Sequence, residues 1–219
     1  DFIILDQELK SYLGDGTSLE NFYCYNKPVL APADGYVQEI VDYIDDNPVG
    51  KINRVQNWGN AIVIYHLPGL YSKLAHLKKN SFIVKQGEFV KKGQVLAYCG
   101  NSGRSPEPHL HFQIQSNPYI GSKTMIYPFS YFYQNNGKEI SYKTFTVPQE
   151  GTFVSNIEMN KLLQQAFSFQ PGFSIKMSDG NTEETWEVYT DAYNQTYICC
   201  KENDAVAYFV NNSVVFYFT

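Results

Sequence analysis

Three of the chain's four histidines stand where metal chemistry would place them. His109 and His111 lie two apart in His109-Leu-His-Phe-Gln-Ile-Gln115, where polar and apolar residues alternate strictly. Period two is the signature of a strand, so His109, His111, Gln113 and Gln115 are expected on one face. The two histidine Cβ atoms are then about 7 Å apart, so one can bind a metal while the other reaches a water held by it. Pro108 stiffens the entry to this strand. His76, in Leu74-Ala-His-Leu77, closes a second strand and approaches from the side. A catalytic zinc takes about three protein ligands and keeps one position open, and its water ionises near pH 7. Neighbouring imidazoles then exchange protons and donate to a tetrahedral intermediate. His66, just before Leu67-Pro-Gly69, reads instead as a turn or core residue. Gln113 is expected to be an exposed surface glutamine, with a partner role behind His111 as the alternative.

The elements that must carry these side chains are short strands. Lys27–Val37, Asn60–His66, Tyr71–Leu77, Gly87–Val90 and Gln94–Tyr98 are rich in Val, Ile and Tyr and separated by glycine turns. The clearest helix signal is Asn156–Phe167, with Asn156 as cap and Ile157, Leu162, Leu163 and Ala166 as an apolar stripe. Phe173–Met177, Glu184–Thr190, Thr196–Cys200, Val206–Val210 and Val214–Phe218 then form a meander of strands. The expected fold is mostly β, a large antiparallel sheet or sandwich followed by a small antiparallel β domain.

Composition sets the outer limits. With 219 residues, 43% of them hydrophobic, the chain can bury a core and is not intrinsically disordered. A net charge of −5 and a pI near 5.4 argue against nucleic-acid binding. No apolar run reaches the roughly 18–20 residues of a membrane span. From Glu150 onward three basic residues face nine acidic ones, against 14 and 13 in residues 1–149. This asymmetry predicts a domain over 1–149 and an acidic, aromatic-rich one over 150–219, the latter available to bind another protein or a wall component. Its clustered Tyr and Phe residues are read first as the core of a small β unit. Cys24, Cys99, Cys199 and Cys200 permit disulfides or buried thiols alike, and one of the adjacent pair should be buried. The chain opens on the strand-like Asp1-Phe2-Ile3-Ile4-Leu5, which reads as the continuation of a preceding segment.

Six motifs follow one another in a familiar order: Ala31-Pro-Ala-Asp-Gly35, Gly59-Asn-Ala-Ile-Val-Ile64, Leu74-Ala-His-Leu77, Val84 through Leu96, Gly100-Asn-Ser-Gly-Arg-Ser105 and Pro108-His-Leu-His-Phe112. Over residues 26–115 the chain resembles the lysostaphin/LytM-type zinc endopeptidases. The resemblance implies an extracytoplasmic enzyme that cuts peptide cross-links of bacterial peptidoglycan with Zn2+. It further implies that His111 ligates the metal, while His109 and His76 orient the attacking water and stabilise the oxyanion.

The sequence departs from that family at one place. The other two ligands come from an upstream His-x-x-x-Asp motif, and Gly14–Asn21 holds no histidine. In a subgroup with a long insertion here, the aspartate lies earlier, in an Asp-Phe pair that Asp1-Phe2 matches, and the histidine lies upstream of it. Asp1 is therefore the favoured second ligand, with Glu20 as the alternative. A degenerate, metal-free relative that binds wall or regulates another hydrolase is the competing function. A swinging-arm carrier is disfavoured, because no lysine stands between Met or Ala neighbours on a hairpin.

Overall fold

The computed structural model describes residues 1–157, 169–192, 196–211 and 216–218. The helix expected over Asn156–Phe167 falls almost wholly outside them. The chain divides into two compact units, Asp1–Tyr127 and Pro128–Thr219.

The first unit is built on a six-stranded sheet. Its strands are β2 (Gly35–Val41), β3 (Asn60–Leu67), β4 (Leu70–Leu77), β5 (Phe89–Val90), β7 (His111–Gln115) and β8 (Thr124–Met125). They run in the order β5-β2-β3-β4-β7-β8, every pair antiparallel. A separate ladder joins β1 (Pro28–Leu30) to β6 (Val95–Tyr98). The stretch expected as one strand over Lys27–Val37 is thus two, broken at Ala31-Pro-Ala-Asp34, where Pro32 has no N–H to give a ladder.

Alternation along these strands sorts the two faces of the sheet. Val37, Ile62, Ile64 and Leu74 point to one side and form the core with Val90, Leu96 and Ala97, with Phe112 packed against it. Each such fully buried aliphatic side chain contributes roughly 1.5–3 kcal/mol of transfer free energy. The register sets three rows on the other face: Ala61–Ala75–His111, Val63–Lys73–Gln113 and Tyr65–Tyr71–Gln115. The apolar face therefore stabilises the sheet, and the opposite face carries His111 and Gln113.

Cys24 and Cys99 are buried in that core as free thiols. The Cys24 thiol donates to the Pro108 carbonyl at 2.7 Å, which ties down the chain just before the histidine pair. Cys200 is buried and Cys199 half-buried, as adjacent residues on opposite strand faces must be.

In the second unit β9 (Phe129–Asn135) pairs with β10 (Ile140–Thr146) and β11 (Phe153–Ser155). A five-stranded meander follows, β12 (Ser174–Ser178), β13 (Glu183–Thr190), β14 (Thr196–Cys200), β15 (Val206–Asn211) and β16 (Phe216–Phe218), each pairing with the next. The domain boundary expected at 149/150 falls inside this unit, because the β9–β11 pairing runs across it. Surface charge changes at Glu150, but backbone pairing ignores surface charge. Phe132, Val188 and Ile198 are buried, whereas Tyr133, Tyr142 and Phe153 stay exposed, so only part of the aromatic content is core.

Candidate active site

Asp1 is delivered to His111 by the backbone. Phe2 and Leu110 form an antiparallel bridge, with Phe2 N–H donating to the Leu110 carbonyl at 2.8 Å and Leu110 N–H to that of Phe2 at 2.9 Å. In such a pair the preceding and following residues face each other, so Asp1 stands opposite His111. Asp1 Oδ1 lies 2.8 Å from His111 Nδ1, and Asp1 Oδ2 lies 3.9 Å from His109 Nε2. Glu20, in the 3-10 turn Leu19–Asn21, is engaged by the Ser18 hydroxyl instead and does not line this cleft.

His76 enters from β4. Its φ of +62° is the left-handed region, which costs a non-glycine residue about 1–3 kcal/mol and must be held by its surroundings. Three bonds hold it: its N–H donates to Trp58 O at 3.1 Å, its carbonyl accepts from Gly100 N–H at 3.1 Å, and its Nδ1–H donates to Ser102 O at 2.8 Å. The His76 ring centre lies 4.7 Å from that of His109 and 5.9 Å from that of His111. Together with Asp1, Trp58, Arg104 and Glu107 the three imidazoles line an open cleft of about 520 Å³.

The loop Asn101-Ser-Gly-Arg-Ser105 is pinned from several sides. Ser102 Oγ donates to Leu77 O at 2.7 Å and accepts from Asn60 N–H at 2.9 Å, while Asn47 Nδ2 donates to the carbonyls of Asn101 and Gly103. His109 Nδ1–H donates to Glu107 O at 2.9 Å, with Ser105 Oγ beside it at 3.1 Å. Because the Nδ1 of His76 and of His109 each donates to a carbonyl, the neutral rings carry a bare Nε2.

The tautomer of His111 follows from a chain of glutamines. Gln115 Nε2 donates to the carbonyls of Asn117 (2.7 Å) and Tyr119 (3.0 Å), so its Oε1 is the atom that accepts from Gln113 Nε2 at 2.9 Å. Gln113 Nε2 also donates to Ser122 O at 3.0 Å. Gln113 Oε1 is then left as an acceptor for His111 Nε2–H at 3.0 Å. Carbonyls can only accept, so the direction of the whole relay is fixed at its far end. His111 Nδ1 is consequently a bare lone pair facing a carboxylate oxygen. Burial pushes the His111 pKa below its usual value, which favours the neutral ring. Two acceptors 2.8 Å apart are satisfied together by a cation, and an imidazole with a carboxylate is a donor set that zinc accepts. Gln113, expected exposed, is only 3% exposed, because residues 116–123 fold over this face of the sheet.

Residues 16–122 match the profile of peptidase family M23. The DD-carboxypeptidase/endopeptidase Mpg of Neisseria meningitidis serogroup B is 39% identical over 90 residues, which is 41% of this chain and 17% of that protein. Peptidoglycan DD-endopeptidase ShyB of Vibrio cholerae serotype O1 is 43% identical over 69 residues, 32% of this chain and 16% of ShyB. Glycyl-glycine endopeptidase ALE-1 of Staphylococcus capitis is 28% identical over 171 residues, 72% of this chain and 44% of ALE-1. Residues 16–122 are an M23 peptidase domain. The chain spans less than half the length of each of these three relatives.

His76, His109 and His111 all fall within the M23 domain, and Asp1 lies outside the matched residues. The resemblance to lysostaphin/LytM-type peptidases is thus a family relationship. His66 stays apart, its Nδ1 donating to Asp34 O and its Nε2 accepting from Ser72 Oγ, both at 2.8 Å. The sequence reading missed Trp58 and Lys73. Trp58 has its ring centre 5.0 Å from that of His111, and the Lys73 ammonium lies 3.0 Å above the Trp58 ring. A lysine inside an apolar strand, on the face that register assigns to His111, was the available signal.

The three imidazoles predict how stability of the M23 domain depends on pH. Burial, then the neighbouring His109, pulls His76 from 6.5 to about 3. Between those values the unfolded chain binds a proton that the folded one refuses, so stability is lost as pH falls through that window. The contribution has a ceiling of about 5 kcal/mol. Chelator-treated protein should therefore show a urea midpoint that drops between pH 6.5 and 4, and His76→Gln should flatten the drop. An equal drop in His76→Gln would rule out His76 as its source.

Proposed function

We propose that the chain is the catalytic part of a zinc-dependent endopeptidase that cuts peptide cross-links of bacterial peptidoglycan outside the cytoplasm. The observation that carries this reading is the unprotonated His111 Nδ1 facing the Asp1 carboxylate, flanked by two imidazoles with bare Nε2 atoms. Asp1 and His111 would hold the ion, with a histidine from outside residues 1–219 as the third donor. Zinc bound there supplies a water that ionises near neutral pH and a polarised scissile carbonyl.

This chain's own residues do the remaining work. His109 Nε2 accepts the proton given up by the attacking water, and Asp1, 3.9 Å away, stabilises the imidazolium that forms. His109 then returns that proton to the leaving amine. His76, held by Ser102 O and Trp58 O, presents its bare Nε2 side to the same cleft, where it accepts from the attacking water and orients it. Peptidoglycan as substrate is supported by relatives whose names specify peptidoglycan DD-endopeptidase and glycyl-glycine endopeptidase activities. The acidic unit from residue 128 onward is left to bind a wall component or a partner protein.

One observation favours the metal-free reading: among the described residues no three His, Cys, Asp or Glu side chains are grouped to hold a metal. Digestion of purified peptidoglycan by the full-length protein separates the two. The enzyme reading expects peptide release that chelation stops and zinc restores, lost in Asp1→Ala and kept in Glu20→Ala. Wall binding without zinc and without peptide release would establish the alternative.

A further inference from the structure

Lys73 is the one buried side-chain polar group among the described residues that lacks a hydrogen-bond partner. It is wholly buried, it takes part in none of the ion pairs of the described residues, and it stands in the middle of β4 beside Gln113. An ammonium is rarely kept in such a place without compensation. Its neighbour is the face of Trp58, with Nζ 3.0 Å from the ring centre, where the negative side of the indole quadrupole meets the charge. Burial lowers the Lys73 pKa to about 8, which leaves it charged at neutral pH.

Trp58 connects that charge to two of the three histidines. Its indole contacts the His111 ring at 5.0 Å with a 47° tilt, and its carbonyl receives the backbone N–H of the strained His76 at 3.1 Å. The adjacent Asn57 carbonyl accepts from Arg104 N–H at 2.8 Å, so the segment also meets the loop on the far side of the cleft. We propose that Lys73 is a positioning residue, whose buried ammonium clamps the Trp58 indole and through it fixes the placement of His111 and His76. A lysine does this better than an aliphatic residue because the attraction to the ring face is directional.

The fluorescence and NMR tests stand without the zinc-peptidase reading, and only the kinetic arm rests on it. Trp58 and Trp186 are the two tryptophans, so a Trp186→Phe background leaves Trp58 as sole reporter. Lys73→Met keeps the side-chain length and removes the charge. In that background we expect it to shift Trp58 emission and raise acrylamide quenching, and to lower kcat about 10-fold at unchanged KM. Unchanged emission and quenching in a folded Lys73→Met protein would overturn the clamp. Altered fluorescence in a protein that cleaves nothing would uphold the clamp and count against the peptidase reading. If Lys73→Met does not fold, NMR of the unsubstituted chain decides. The Lys73 ε-methylene protons should be shifted strongly upfield by the indole ring current, and ordinary lysine shifts would overturn the proposal.

Discussion

His111→Ala is expected to abolish zinc uptake and peptidoglycan cleavage together. The substitution removes the imidazole nitrogen that lies nearest the Asp1 carboxylate, at 2.8 Å against 3.9 Å for His109 Nε2. It also strands the buried Gln113 Oε1, which now accepts from His111 Nε2–H at 3.0 Å. An orphaned buried acceptor costs about 1–3 kcal/mol, so some loss of stability should accompany the loss of function. Loss of Lewis-acid stabilisation amounts to several kcal/mol, which at 1.36 kcal/mol per decade is a fall of about 10³-fold or more. Zinc content by mass spectrometry and initial rates on dye-labelled peptidoglycan give the two readouts. Retention of a tenth of the wild-type rate would mean that His111 is not a ligand.

Gly103→Ala should be the most damaging small substitution in the active-site loops. Gly103 has φ +77°, and a Cβ there would collide with the Gly59 backbone nitrogen and lie 2.7 Å from Gly59 Cα and 2.8 Å from the Asn57 carbonyl. None of these is the end of a flexible side chain. Gly59, at φ +61°, is equally enclosed, because its own Cβ would lie 2.5 Å from Ser102 backbone atoms. The two glycines let the loops before β3 and after β6 approach closely enough for Ser102 O to reach His76 Nδ1. Left-handed strain alone costs about 1–3 kcal/mol, and moving two backbones adds to it, so a loss of about 3 kcal/mol or more is expected. The measurement is a urea midpoint beside that of Gly93→Ala. Gly93, at φ +83°, has nothing within 4 Å of its Cβ position and carries the strain without the collision. Equal losses in the two variants would refute the interlocking of the loops.

What could be read from the sequence was set by local periodicity. The His109–Gln115 alternation and the glycine-bounded strands are short-range patterns, and they fixed the face on which His111 stands. Alternation does not say what lies over that face. Gln113 was therefore misjudged as exposed, although residues 116–123 cover it and turn it into the link that sets the His111 tautomer. Asp1 emerged only through resemblance. Its position depends on the Phe2–Leu110 bridge, a pairing between residues 108 positions apart that no local signal encodes. Trp58 and Lys73 were invisible for a related reason, since their contact needs the register of β3, β4 and β7 at once. Charge composition changes at Glu150, whereas the compact units divide between Tyr127 and Pro128, because composition marks surfaces and the β9–β11 pairing spans Glu150.

The most direct test of the central claim is the zinc stoichiometry of the full-length protein, compared with its Asp1→Ala and His111→Ala variants at neutral pH. The account predicts one tightly held zinc per chain in the parent, removable by chelation. It predicts sharply weakened binding in both variants while the fold persists by circular dichroism. A parent that holds no zinc, or variants that hold it as tightly as the parent, would contradict it.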